Sequence, residues 1–161
     1  TINSSIKILQ RFDKLNEELP HRVVHFDAKI NNFLFDKTTN KAKAIIDLDT
    51  LMPGTILSDI GDMIRTFSNR KGEDSKNVDE VQADIEIIHN IINGFLSSCK
   101  NILTKREKDN LFFSGKAITL LQCIRFLTDY LNNDSYYKTT YPQQNWIRAQ
   151  NQWALYSSLK G

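Results

Sequence analysis

The sequence predicts a mainly α, α+β domain, a helical body carrying one small β-hairpin near its start. Three observations predict it. Apolar residues recur at helical spacing in several long segments, β-rich character is confined to two short runs, and Pro and Gly punctuate the chain beside them. With 161 residues, 40% of them hydrophobic, the chain can bury the core of one ordinary domain, so residues 1–161 are read as a single domain.

Each element has its own signal. Over residues 3–19, Ile6, Leu9, Phe12, Leu15 and Leu19 fall at helical spacing, and Pro20 closes the segment because it has no N–H to continue the ladder. Runs around Phe33–Phe35 and Ala44–Ile46, joined by the polar stretch 36–43 with turn-prone Asn40, read as a hairpin. Pro53-Gly54 breaks the chain. Ile60, Met63, Ile64 and Phe67 then follow the rule of a helix buried on one side, with Asp62 and Arg65 on its other face.

The polar residues 69–77 make the expected flexible loop. A long helix should follow, opened by a capping-box-like Asn77 and Glu80 and striped by Val81, Ile85, Ile88, Ile92 and Phe95 or Leu96. Thr104 and Glu107 repeat that signal and open another long segment through Leu111, Ile118, Leu121, Ile124 and Leu131. In the last helix, from Pro142 at its first position to about residue 159, Trp146 and Trp153 stand seven apart.

Charge and composition exclude several functions. A balance of 21 Lys+Arg against 19 Asp+Glu, with no basic arm, is not the footprint of a nucleic-acid binder. No uninterrupted apolar run approaches the roughly 20 residues that cross a bilayer, so no membrane partner is expected. Cys99 and Cys123 lack C-x-x-C spacing and read as reduced core thiols of a cytoplasmic protein. His21, His25 and His89 form no zinc-binding pattern.

The chemistry-bearing cluster is His25-Phe26-Asp27-Ala28-Lys29-Ile30-Asn31-Asn32, of the form H-x-D-x-K-x-x-N, with Asp47-Leu48-Asp49 ending an apolar run downstream. This is the catalytic-loop pattern of kinases followed by a metal-binding aspartate. Phosphoryl transfer needs a carboxylate near the attacking hydroxyl, oxygen ligands on Mg²⁺ and a cation near the transferred group. Asp27 is the candidate base and Lys29 the candidate cation. Asn32 and Asp47 are candidate Mg²⁺ ligands, and Asp49 is either a further ligand or an acidic neighbour. His25 is expected to be a packed, hydrogen-bonded scaffold residue. Asp59 is expected to cap the helix that follows, with a possible second role of holding the catalytic loop through backbone hydrogen bonds. Asp47-Leu48-Asp49-Thr50 also approaches the D-x-D-x-T of haloacid-dehalogenase phosphatases, but the fourth residue after Asp47 is Leu51 rather than Thr, and no βαβ series follows.

With these motifs the chain resembles the C-terminal lobe of the aminoglycoside phosphotransferase and choline kinase superfamily. Within it, KINNFLFDKTTNKAKAIIDLDTLMPG, DIGDMIR, IRFLTDYL and YPQQNWIRAQNQ are most similar to N-acetylhexosamine 1-kinases. The resemblance implies the helical C-terminal lobe of a protein-kinase-like phosphotransferase, with the hairpin carrying the metal site. It implies Asp27 as base, Asn32 and Asp47 as magnesium ligands, and Arg125 as a residue that reaches the sugar. Read locally, Arg125 can instead pair with Asp129 one turn on. Asp62 and Arg65 are candidate lining of the same cleft, whereas Trp146 and Arg148 read more simply as a core Trp and a surface Arg.

The implied function is ATP- and Mg²⁺-dependent phosphorylation of a small-molecule sugar, at the anomeric hydroxyl of an N-acetylhexosamine. Only 24 residues precede His25 and the chain starts at Thr1, so the nucleotide-clamping lobe of such an enzyme is expected to be absent and residues 1–161 alone to be inactive. The alternatives are an aminoglycoside, choline-like amine or homoserine as acceptor, and a non-catalytic domain that keeps a kinase-like scaffold.

Overall fold

Phe12 and Leu15 lie on one face of helix α1 (Ile2–Glu18), with Leu19 just past its end, and all three are buried in the main core. The structure, a computed structural model, describes residues 2–99 and 101–159, without the side chains of residues 2 and 3. After α1 come β1 (Arg22–Val24), β2 (Phe33–Phe35), β3 (Ala42–Ile45), β4 (Met52–Gly54) and α2 (Ile56–Phe67). Then follow α3 (Ile85–Cys99), the short α4 (Lys105–Lys108), α5 (Leu111–Leu131) and α6 (Gln144–Ser158). The chain is mostly helical, as its periodicity predicts.

The expected hairpin is β2–β3, antiparallel with Phe33 opposite Ile45 and a register shift between Leu34 and Phe35. Its turn places Asn40 at φ 54°, a left-handed conformation that Asn tolerates well. A second pair is added: β1 runs antiparallel to β4, with Arg22 opposite Gly54 and Val24 opposite Met52. Pro53-Gly54 therefore belongs to a strand rather than a plain break, and the pairing brings residues 25 and 26 beside α2.

Helices α2, α5 and α6 form the body. Leu57, Ile60 and Ile64 of α2 pack with Leu111 and Ala117 of α5, Ile88 of α3 and Leu159. Contact between α2 and α5 is close because each helix sets a glycine against an isoleucine of the other. A Cβ on Gly61 would lie 2.5 Å from Ile118 Cγ1, and one on Gly115 would lie 2.4 Å from Ile64 Cγ2. Among the described residues, α5 alone is long and apolar enough to span a bilayer, but Leu111, Leu120 and Phe126 are buried within the protein, which marks it as a core helix.

Other expectations are corrected. Asn77 opens only a short 3₁₀ turn, Val78–Glu80, and makes no side-chain cap. Helix α3 starts at Ile85, where Asp84 Oδ1 accepts the Ile87 N–H at 3.1 Å, because residues 81–84 are first drawn into a bridge between Asn69 and Ala83. The Thr104–Glu107 capping box forms, but its helix ends at Lys108 and α5 starts separately at Leu111. Glu107 is fully buried there, and Arg22 donates to both its oxygens, at 2.9 and 3.0 Å, tying β1 to α4. Pro142 precedes α6, whose N-cap is Gln143 in left-handed geometry. The polar loop 69–77 is held down: Glu73 pairs with Arg65, and Asp74 with Arg148.

Candidate active site

Residues 25–32 form the connection from β1 to the hairpin, and its shape is set from α2. Asp59 does not cap α2, whose N-cap position is Thr55. Its two carboxylate oxygens instead accept the backbone N–H groups of His25 and Phe26, each at 2.8 Å. Phe26 stands at φ 61°, a conformation that a bulky residue seldom adopts unless its surroundings impose it. Farther along, Thr66 of α2 accepts the Ile30 N–H at 3.0 Å.

His25 is buried and locked. Its Nε2–H donates to the Ile46 carbonyl at 2.9 Å, Nδ1 accepts the Asp27 N–H at 3.3 Å, and its own carbonyl accepts the Thr50 hydroxyl. The Ile46 N–H in turn donates to the Asn32 carbonyl at 2.9 Å. The loop is thereby fastened to the end of β3, the segment that leads into Asp47.

Asp27 is partly exposed and receives two donors. Lys29 Nζ lies 2.6 Å from Oδ2, and Asn32 Nδ2 donates to the same oxygen at 3.0 Å and to the Asp27 carbonyl at 2.8 Å. A carboxylate so held keeps one oxygen, Oδ1, free of hydrogen bonds among the described residues. Asn32 is buried, and with its NH₂ committed to Asp27 its Oδ1 remains as an oxygen donor. Asp47 stands at φ 64° just beyond β3, exposed, as is Asp49; neither side chain makes a hydrogen bond or ion pair with the described residues. No three His, Cys, Asp or Glu side chains among the described residues converge as a metal cage. One amide and one or two carboxylate oxygens beside solvent still suit Mg²⁺, which takes hard oxygen ligands and keeps several waters.

Asp27 and Lys29 open onto a cavity of about 690 Å³ whose lining also includes Asp62, Arg65 and Arg125. Five of the predicted site residues thus share one cavity. His25 and Asn32 of the loop, Asp59 of α2, and Asp47 and Asp49 after β3 are outside its lining. Arg65 is buried with Asp62 at 2.8 Å and Glu73 at 2.6 Å. Burial works against the guanidinium charge, but the two carboxylates outweigh it and hold Arg65 charged. Burial pushes the Asp62 carboxyl up from its ordinary value against the pull of Arg65.

Arg125 does not pair with Asp129. Its guanidinium lies 5.7 Å from the centre of the Tyr137 ring, while Asp129 is engaged by backbone amides. Trp146 is no core residue: it is half exposed, against Tyr130 with ring centres 5.7 Å apart. Arg148 lines the cavity and is paired with Asp74 at 2.7 Å, so it is more than a surface charge. Sequence reasoning passed over Tyr136, Tyr137 and Glu73, all in the lining. The tyrosines lie in an irregular segment without periodicity, and their only signal is a pair of aromatics after the IRFLTDYL block.

Residues 5–84 match the model of a family described as the phosphotransferase enzyme family. The matched span, just under half of the chain, runs from α1 through residues 25–32, the hairpin and α2. Over that span the chain is similar to this family, which supports the phosphotransferase resemblance carried by the sequence motifs.

Proposed function

With that family match as premise, we propose that the protein is the catalytic and acceptor-binding lobe of an ATP- and Mg²⁺-dependent small-molecule kinase, acting on the anomeric hydroxyl of an N-acetylhexosamine. One observation carries the reading: within the matched span, Asp27 meets Lys29 and Asn32 at the edge of a substrate-sized cavity. In this reading the Asp27 carboxylate orients the acceptor hydroxyl and takes its proton. Lys29 compensates charge on the transferred phosphoryl group. Asn32 and Asp47, with Asp49 beside them, hold Mg²⁺. When bound, ATP would supply the phosphoryl group and the metal would neutralise its phosphate charge.

The sugar assignment is supported by the residue blocks that resemble N-acetylhexosamine 1-kinases and by the cavity lining. Tyr136 and Tyr137 offer aromatic faces, and Gln122 and Arg125 offer donors, to a neutral polyol. An aminoglycoside or choline-like acceptor fits less well, because three of the four carboxylates lining the cavity, Asp27, Asp62 and Glu73, are already paired with Lys29 and Arg65, which leaves Asp13 as the lining carboxylate without an ion pair among the described residues. The reading places the protein in the cytoplasm, with ATP, and assigns nucleotide clamping to a lobe upstream of Thr1. Residues 1–161 alone are therefore expected to show little turnover.

The test is an acceptor screen on the complete protein with ATP and Mg²⁺, covering N-acetylglucosamine, N-acetylgalactosamine, an aminoglycoside, choline and homoserine. Phosphorylation of the two amino sugars, abolished by EDTA, is the expected result. Phosphorylation of an amine instead would move the acceptor class, and sugar binding without ATP consumption would favour a non-catalytic domain.

A further inference from the structure

We propose that Asp129 is a positioning residue that builds the acceptor-side wall of the cavity, an inference that rests on the phosphotransfer reading above. Asp129 lies in the last turns of α5 and is buried, yet no cation among the described residues is paired with it. Its charge is met by three N–H donors. Oδ1 accepts the Tyr136 backbone N–H at 2.8 Å, and Oδ2 accepts the Tyr137 backbone N–H and Asn145 Nδ2, each at 2.9 Å. A buried carboxylate with this many donors is satisfied only while the segment supplying them keeps its shape.

That segment has an unusual path. After α5 the chain reverses through Asn133 at φ 60° and Asp134 at φ 54°, two successive left-handed residues. Asn and Asp are the side chains that tolerate such geometry best, but a pair of them needs external support. The support comes from the same place: the Asp134 N–H donates to the Asp129 carbonyl at 2.9 Å, and Asn145 Nδ2 donates to Asp134 Oδ1 at 2.9 Å. Asp129 thus holds both the reversal and the two residues beyond it.

What the reversal delivers is the wall. Tyr137 packs on Phe126 with ring centres 4.8 Å apart, its hydroxyl accepts Gln122 Nε2 at 3.1 Å, and Tyr136 meets it edge-on at 4.9 Å. These rings, with Arg125, line the cavity that holds Asp27, whereas Asp129 does not. Asp129 therefore acts on the acceptor only through the backbone of residues 136 and 137. An Asn in its place offers a single acceptor oxygen and turns an NH₂ toward an N–H donor, so at least one tyrosine amide loses its partner.

The experiment compares the complete wild-type protein with Asp129→Asn, using N-acetylglucosamine as acceptor, and follows amide exchange at residues 133–138. The variant should raise the acceptor KM at least tenfold, leave the ATP KM within twofold, and speed exchange at Tyr136 or Tyr137 at least tenfold while α2 amides hold. An unchanged acceptor KM, a parallel rise in both KM values, or unchanged exchange overturns the inference. If the variant does not fold, wild-type exchange decides: Tyr136 and Tyr137 amides should exchange far more slowly than Ser135 and Lys138, and equal rates overturn it. Wild-type protein that phosphorylates none of the acceptors overturns the underlying reading instead, and is told apart because it leaves the exchange pattern standing.

Discussion

Asp59 of α2 accepts the Phe26 backbone N–H at 2.8 Å, and Phe26, held at φ 61°, directly precedes the proposed base Asp27. The same carboxylate accepts the His25 N–H, so two donors of the proposed catalytic loop are satisfied by one side chain. Asp59→Ala should therefore destabilise the fold by about 2–4 kcal/mol, for two charge-assisted bonds lost and two donors orphaned. In the complete protein kcat should fall more than tenfold. Urea unfolding and an ATP-coupled assay check the two numbers, and full activity in the variant would show that the loop holds its shape without Asp59.

Gly54 tests the same loop from the other side. A Cβ there would sit 2.3 Å from Phe26 Cζ and 2.9 Å from Val24 Cγ2, so Gly54→Ala must displace the ring. A cost of about 1–3 kcal/mol is expected, typical of an overpacked site. Phe26→Ala in the same chain should relieve the clash with the ring, giving a coupling of about 1 kcal/mol or more in a double-mutant cycle. Additive effects would mean that the two residues do not compete for space.

Much of this was legible in the sequence and some was not, for physical reasons. The hairpin, α1, α2 and α6 have local signals, either periodicity or a turn residue, and the catalytic pattern names residues whose types and spacing the chemistry dictates. Strands β1 and β4 are three residues long, and each is defined by a partner far away in the chain. Pro53 in β4 also reads as a breaker, because a pattern cannot tell an edge strand, where Pro is tolerated, from a turn. Val81 fits the stripe of α3, but the bridge between Asn69 and Ala83 overrides that local preference. Asp129 has the spacing of a helical ion pair with Arg125, and only the return of residues 136–145 shows that its partners are amides.

The pair of half-buried Arg22 and buried Glu107 sets a pH dependence. Burial works to raise the Glu107 pKa, but the Arg22 guanidinium and the Thr104 amide prevail and hold the carboxyl below its ordinary value of 4.5. A depressed carboxyl contributes its full stability above the unfolded-state value and loses it as pH falls through the folded one. Unfolding free energy should therefore decline on acidification from about pH 4.5. In Glu107→Gln the decline should be shallower from a lower starting stability; an identical slope would assign the dependence to other carboxylates.

The two thiols should react at different rates. Burial pushes the Cys123 thiol up to about 11, while Cys99 is only half-buried at the end of α3. Thiolate is the reactive form, so iodoacetamide at pH 8 should label Cys99 first and reach Cys123 only on unfolding. Peptide mass mapping over time checks the order, and equal rates would contradict the burial of Cys123.

The central claim is that Asp27 is the base of a phosphotransfer site, and its most direct test is the kcat of Asp27→Asn in the complete protein. Asn keeps the size of the side chain and one hydrogen-bond acceptor but cannot take a proton at neutral pH. The account predicts that kcat for N-acetylglucosamine phosphorylation falls at least about 100-fold, within the range for loss of a general base, with the ATP KM little changed. Turnover within threefold of wild type would contradict it.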